Sequence, residues 1–277
     1  MLWLKVGRGL FRRLYESSGS LTPFEEFSDH VGDVFARAKR DFSYFSQFVD
    51  LSGKRILDIA SGEGKKTAYY SLKSKKTVGV DITKDGVRRA HRFARDHNLQ
   101  QVDFVIGDSS HLPFCEASFD IVISNDAFEH IADWRNTIRD IERVLIEKGV
   151  ACLSFGPLWF SPFGSHMNFS EFFSPPWAHL VFSEESIKGV LFALGKIKDT
   201  DLNEPLFMHY LNHITSQEFQ QSISSTGLSV LFFRLFTISP FNLFLKTSVR
   251  KFFTTRVAVA LQKTSRSLDS ATKENKN

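Results

Sequence analysis

Between Phe24 and Val49 the apolar residues recur at helical spacing (Val31, Val34, Phe35, Ala38, Phe42, Phe45, Phe48, Val49), which predicts one or two amphipathic helices. The pattern then shortens to apolar runs separated by amphipathic stretches. Arg55–Ile59 reads as a strand feeding a helix over Gly64–Ser71, and Thr77–Ile82 as a second strand followed by a helix over Lys84–Asn98. Val102–Asp108 is a third run, and Phe119–Asn125 a fourth, followed by a helix through Glu147; Val150–Gly156 is a fifth. Strands alternating with helices at this spacing predict an α/β, doubly wound, mostly parallel sheet covered on both faces.

After Gly156 the periodicity is lost. The stretch from Pro157 is aromatic and proline-rich, too long for a routine connection, and reads as a lid or binding loop. Regular pattern resumes with a helix opened by a Thr215/Glu218 capping box and stopped at Gly227, and then two more strands, "SVLFFRLF" and "RVAVALQ". The organisation expected is an N-terminal helical segment over 1–50, an α/β core over 51–156, a lid insertion over 157–212, a C-terminal helix and last strands over 213–263, and a polar, disordered tail over 264–277.

Composition changes this picture little. The chain has 277 residues, 42% hydrophobic and 24% charged, ordinary values for a globular protein with a sizeable core. The two cysteines, Cys115 and Cys152, lack metal-ligand spacing and exclude a disulfide scaffold, so a reducing, cytoplasmic setting is expected and no metal. The N-terminus mixes basic and apolar residues without the uninterrupted apolar stretch of a signal peptide. The most apolar window, "LSVLFFRLFTISPFNLFL", is broken by Arg234 and by Ser239-Pro240, and falls short of the roughly 18 clean apolar residues of a membrane span. A net charge of +4, spread along the chain, does not call for nucleic acid. The basic, Phe-containing stretches "WLKVGRGLFRRLY" and Lys246–Arg256 suit contact with an anionic membrane surface, although docking on the domain is the preferred reading. The 29 phenylalanines hint at an apolar substrate.

The chemistry is concentrated where strands end in acids: Asp58, Asp81 and Asp108. Ligands of open α/β sheets sit beyond the carboxyl ends of the strands. Helix capping explains any one of these acids, but three at one edge are harder to dismiss. Gly62-Glu63-Gly64-Lys65-Lys66-Thr67 superficially matches a dinucleotide fingerprint with Asp81 as its ribose-binding acid, yet the third glycine is Thr67, and Asp58 and Glu63 would repel a pyrophosphate. The P-loop spacing is absent. A cationic nucleoside reverses the sign of that argument: a sulfonium and an ammonium are attracted by an acid after the first strand, ribose hydroxyls donate to one after the second, and an adenine amine to one after the third.

On these residues the segment from Arg55 to Gly156 resembles a class I S-adenosylmethionine-dependent methyltransferase. "LDIASGEG" is similar to the first motif of that family, with Ala60 in place of its first glycine; "VGVDIT", "VIGDSSHLPF" and "FDIVISNDAFEHI" resemble the second, third and fourth, in the right order and spacing. The resemblance implies a Rossmann-like methyltransferase fold with a seven-stranded sheet, S-adenosyl-L-methionine as cofactor, and Asp58, Ala60, Ser61, Gly62, Gly64, Asp81, Ile82, Asp108, Ser109, Asn125 and Asp126 as its contacts. The extra methyl of Ala60 is expected to leave cofactor binding intact.

Methyl transfer from a sulfonium needs alignment and exclusion of water, and a hydroxyl acceptor benefits further from a general base. Candidate bases are Asp126, Glu129, His130 and His166; Glu129 and His130 also fit a simpler role at a helix end, His166 that of a solvated loop residue, and His179 a structural one. "NDAF" lacks both prolines of the signature used on exocyclic amines, which points away from nucleobases. Trp159, Phe160, Phe163, Phe169, Phe172, Phe173 and Trp177, with His166, could wall a pocket for a small apolar or amphipathic acceptor, or else form the core of a subdomain. The expectation is a small-molecule methyltransferase acting at oxygen. An RNA methyltransferase, a non-catalytic module of the same fold and an oxidoreductase are the alternatives.

Overall fold

The computed structural model describes residues 31–166, 175–198, 203–206, 210–238 and 248–265. Strands β1 (Arg55–Ile59), β2 (Lys76–Asp81), β3 (Val102–Ile106), β4 (Phe119–Asn125), β5 (Leu145–Phe155), β6 (Leu228–Thr237) and β7 (Thr254–Lys263) form one seven-stranded sheet in the order β3-β2-β1-β4-β5-β7-β6. Only β7 runs antiparallel to its neighbours, inserted between β5 and β6. The sheet, its parallel majority and the strands at either end agree with the doubly wound fold expected from the sequence.

Helices α1 (Val31–Phe42), α2 (Lys65–Ser71), α3 (Lys84–Asp96), α4 (Trp134–Val144), α5 (Ala178–Val181), α6 (Glu184–Ala193) and α7 (Ser216–Ser224) cover it. Side chains alternate across a strand, so each strand feeds two cores. Leu57, Ile59, Val122, Leu153, Val257 and Val259 face α4 and α7, meeting Trp134, Ile138, Ile141, Phe219 and Ile223. Ile56, Ile121, Ile123, Cys152, Ala258 and Ala260 face the other way, against Phe42, Phe45 and Tyr70.

Several boundaries differ from the sequence pattern. The helix expected to run to Glu147 stops at Val144, and β5 begins at Leu145 instead of Val150. Lys148 takes a positive φ of 60° and the β4–β5 register shifts between Phe119 and Ile121, so a kinked, exposed start to the strand reads like helix in the sequence. In the N-terminal stretch one helix, α1, is described and gives way to a turn after Phe42; residues 24–30 lie outside the described residues. The Thr215/Glu218 capping box is formed. Gly227 is not the helix stop: α7 ends at Ser224, and the Gly227 N–H donates to Glu142 Oε1 at 3.1 Å.

The stretch after Gly156 carries two short helices, α5 and α6, and a small core of its own built from Ala178, Ile187, Leu191, Leu206 and Leu211, with Trp159 packed against it. Among the described residues no helix is long and apolar enough to cross a membrane. The N-terminal basic stretch and residues 246–247 lie outside the described residues, while Thr254, Thr255 and Arg256 are buried in β7, so the end of that second basic stretch is not on the surface.

Candidate active site

The turn between β1 and α2 is built by backbone conformation. Ala60, Gly62 and Gly64 all have positive φ (54°, 54° and 72°), a region that costs a residue with a Cβ. At Gly64 the requirement is steric as well, since a Cβ would lie 2.5 Å from the Phe104 ring and 2.7 Å from Ala90 Cβ. At Gly62 a Cβ would meet nothing within 4 Å: the turn opens there onto free space.

Asp81, at the end of β2, fixes that opening. Its Oδ2 accepts from the Gly62 N–H at 2.8 Å and its Oδ1 from the Thr83 N–H at 2.8 Å. Ile82 beside it is 70% exposed, an apolar platform at the strand edge. Asp108, two residues past β3, accepts from the backbone and hydroxyl of Ser110, which hold its carboxyl below the usual range, and Ser109 Oγ lies 3.4 Å from Thr137 Oγ1. Asp58 is 4% exposed; burial pushes its carboxyl up to about 7 against the opposing hydrogen bond from Thr67 Oγ1 at 2.6 Å. The sheet thus brings the three strand-end acids and the glycine turn to one edge. A donor-poor, acceptor-rich edge of this kind, with open space at Gly62 and an apolar face at Ile82, fits a cationic nucleoside and opposes a phosphate.

Period two also explains a second cluster. Asp58, Asn125, Ser154 and Arg256 occupy the same sheet face as Ile56, Ile123, Cys152 and Ala258, at its polar end, where α1 and α2 supply Asp41, Lys66 and Tyr70. Lys66 Nζ lies 2.9 Å from both Asp41 and Asp126, and Arg256 reaches Asp126 Oδ1 at 2.8 Å and Ser154 Oγ at 3.0 Å. Burial alone would lower the Lys66 ammonium, but Asp126 and Asp41 outweigh it and hold its pKa above the ordinary lysine value; Arg256 and Lys66 likewise hold Asp126 below the carboxylate range against its burial. Asn125 accepts from Ser154 Oγ at 2.8 Å and donates to Tyr70 Oη at 2.6 Å. Asn125 and Asp126 therefore brace the site from within. Lys66, Asp41 and Arg256 did not emerge from the sequence; the Gly-Lys-Lys-Thr run offered a signal for Lys66 alone.

Glu129 and His130 do not open a long helix. They lie in a single 3-10 turn, Phe128–His130, and Glu129 points inward, 2% exposed, accepting the Gly156 N–H at 3.2 Å. Burial, with Asp126 adding to it, raises Glu129 to about 8, while burial and His166 lower His130 to about 4. The His166 ring stands edge-on to His130 at 5.1 Å, and its Nε2 lies 2.9 Å from Pro157 O. Asp126, Glu129, His130 and His166 are thus brought together, and His166 is not a solvated loop residue.

His179 is structural, its Nε2 2.6 Å from Trp159 O. The described aromatic residues are engaged by side chains from other parts of the chain. Trp159 stacks on His213 at 4.2 Å, Phe160 meets Phe252 edge-on with Lys251 Nζ 4.2 Å above its ring, and Trp177 Nε1 is shared between Phe160 O and Phe252 O. Phe163 is buried, and Phe169, Phe172 and Phe173 lie outside the described residues. A separate open groove of about 590 Å³ runs along α3 and β3, lined by Lys84, Arg88, His91, Arg92 and Phe104, and shares none of the site residues above.

The strand order, the lone antiparallel β7 and the acidic edge around a glycine turn define the class I S-adenosylmethionine-dependent methyltransferase fold. Residues 57–153 match the family model described as a methyltransferase domain, and that segment of the chain is one. An uncharacterized methyltransferase of Bacillus subtilis, YcgJ, is 33% identical over 131 residues, 46% of this chain and 51% of its own. Phthiotriol/phenolphthiotriol dimycocerosates methyltransferase 1 of Mycobacterium ulcerans is 34% identical over 99 residues, 35% of each chain. The chain thus spans about half the length of the first of these relatives and a third of the second. Among solved structures, an S-adenosylmethionine-dependent methyltransferase from Mesorhizobium loti aligns over 83% of this chain and 99% of its own with a TM-score of 0.56 at 14% identity, a likeness of fold. S-adenosylmethionine is the cofactor that goes with this family.

Proposed function

We propose that the protein is a methyltransferase that transfers the methyl group of S-adenosylmethionine to an oxygen of a small apolar or amphipathic molecule. The observation that carries this reading is the carboxyl edge of β1, β2 and β3, where Asp58, Asp81 and Asp108 surround an open, positive-φ turn. When bound, the cofactor supplies a methyl group already activated by its sulfonium. In this reading Gly62 and Gly64 with Ala60 and Ser61 let the backbone approach it, Asp58 offsets its positive charge, Asp81 takes ribose hydroxyls on the lone pairs left beside its Gly62 and Thr83 bonds, Ile82 covers the adenine, and Asp108 with Ser109 accepts from the adenine amine.

The chain's own contribution to the chemistry is positioning and proton handling. Asp126, braced by Lys66 and Arg256, orients the turn that carries Glu129 and His130. Asp126, Glu129, His130 and His166 are the groups that would accept a hydroxyl proton, and His130, depressed to about 4, is a weak base among them. The relative named for phthiotriol substrates supports a hydroxyl-bearing apolar acceptor, and in this reading Trp159, Phe160, His166 and Trp177 would contact it. Two free cysteines, one of them buried, suit residence in the cytoplasm.

The test is incubation with radiolabelled S-adenosylmethionine and fractionated host metabolites and lipids. Label appearing in an apolar, hydroxyl-bearing fraction is expected. Label in RNA, or calorimetric heat with a dinucleotide and none with S-adenosylmethionine, would overturn the reading.

A further inference from the structure

We propose that Glu129, His130 and His166 form a binding site for a divalent first-row transition-metal ion at the acceptor side of the sheet edge. One ligand atom from each of the three residues lies within 4.8 Å of the other two, with His130 Nε2 3.9 Å from Glu129 Oε1. Donors so spaced sit at most about 2.8 Å from a common centre, and bonds of about 2.0–2.2 Å to such an ion require each to move inward by roughly 0.7 Å, within the reach of side-chain torsions.

An independent observation points to a ligand. Glu129 is 98% buried, yet its Oε2 has no hydrogen-bond partner, while Oε1 takes the Gly156 N–H. A carboxyl oxygen sealed from water without a hydrogen-bond partner is costly, and a bound cation is one group that resolves it. The histidines are arranged as metal ligands usually are. With Nε2 of His166 donating to Pro157 O at 2.9 Å, the ring is held in the tautomer whose Nδ1 carries the lone pair, the backbone-carbonyl arrangement common behind metal-bound imidazole. Two imidazoles and one carboxylate favour manganese, iron, cobalt or zinc over magnesium, which prefers oxygen alone.

Asp126 faces both imidazoles, while Arg256, paired to Asp126 through a terminal nitrogen, faces Glu129 with its Nε unpartnered. Through Lys66, two residues beyond Gly64, Asp126 joins this cluster to the glycine turn. Its functional role rests on the methyltransferase reading: an ion here acts as a Lewis acid on an acceptor oxygen, and narrows the substrate class to molecules with an ionisable hydroxyl.

The full chain, stripped with a chelator and dialysed, is incubated with Mn²⁺, Zn²⁺ or Mg²⁺, desalted, and its metal content measured by plasma mass spectrometry. One equivalent of Mn²⁺ or Zn²⁺ and little Mg²⁺ is expected, falling tenfold or more in Glu129→Gln and His166→Gln variants whose circular dichroism matches the wild type. Should those variants not fold, Co²⁺ added to the wild-type protein gives the readout, a visible d–d band displaced by Zn²⁺. No retained metal and no Co²⁺ band in the wild type, or undiminished retention in folded variants, would overturn the site. Calorimetry with S-adenosylmethionine on the stripped protein separates the two readings: heat is expected without metal, and its absence beside intact metal retention counts against the methyltransferase and not against the metal.

Discussion

At Asp58 the same burial that shapes the site makes it sensitive to pH. Its carboxyl is raised from 3.8 to about 7, so between those values the folded chain holds a proton that the unfolded chain releases. Asp58's contribution to stability therefore falls as pH rises through that window, by at most about 1.4 kcal/mol per unit, and is flat above it. Urea denaturation against pH reads this slope, and Asp58→Asn should abolish its share. A cationic ligand draws the group back to its charged form, so binding below pH 7 should release a proton, measurable by calorimetry in buffers of different ionisation enthalpy. Lys66 illustrates the opposite case: removing it leaves Asp41 and Asp126 facing each other with one cation fewer, and Lys66→Met should cost about 3 kcal/mol in the same denaturation assay. At Ala60 the positive φ is carried by a residue with a Cβ, so Ala60→Gly should raise stability by about 0.5–1 kcal/mol, the relief of strain exceeding the added freedom of the unfolded chain.

Among the elements, the β1–α2 turn is the least tolerant of change. Gly64→Ala has neither the backbone freedom nor the space, with Phe104 and Ala90 already in contact, and should destabilise the protein by about 3 kcal/mol, read as a drop in melting temperature. This turn and the acids around it were legible in the sequence because their signal is local: a short apolar run, an acid, then glycines. The Thr215/Glu218 box was readable for the same reason. The ends of α4 and β5 were not, because a kinked strand with Glu147 and Lys148 turned to solvent has no period of its own. The bracing cluster was hidden for another reason. Asp41, Lys66, Asp126 and Arg256 come from four separate segments, and only the alternation of the folded sheet, with two helices laid across one face, makes them neighbours. Glu129 and His130 were visible as candidates, but the inward turn of Glu129 was not.

Across the whole molecule, ligand binding at one edge should register as global stability. Saturating S-adenosylmethionine at about a hundred times its Kd should add about 2.7 kcal/mol and raise the melting temperature, whereas NADH should leave it unchanged. The largest commitment of the fold lies in β7, the last strand among the described residues and the one wedged between β5 and β6, whose Arg256 closes on Asp126 beside the glycine turn. During synthesis on a ribosome, every cofactor-facing motif emerges well before that arginine does. A nascent polypeptide stalled ahead of Thr254 would carry every one of those motifs yet only Lys66 of the two cations that steady Asp126, so competence to bind nucleoside should appear late, once the strand carrying Arg256 is free to insert between β5 and β6.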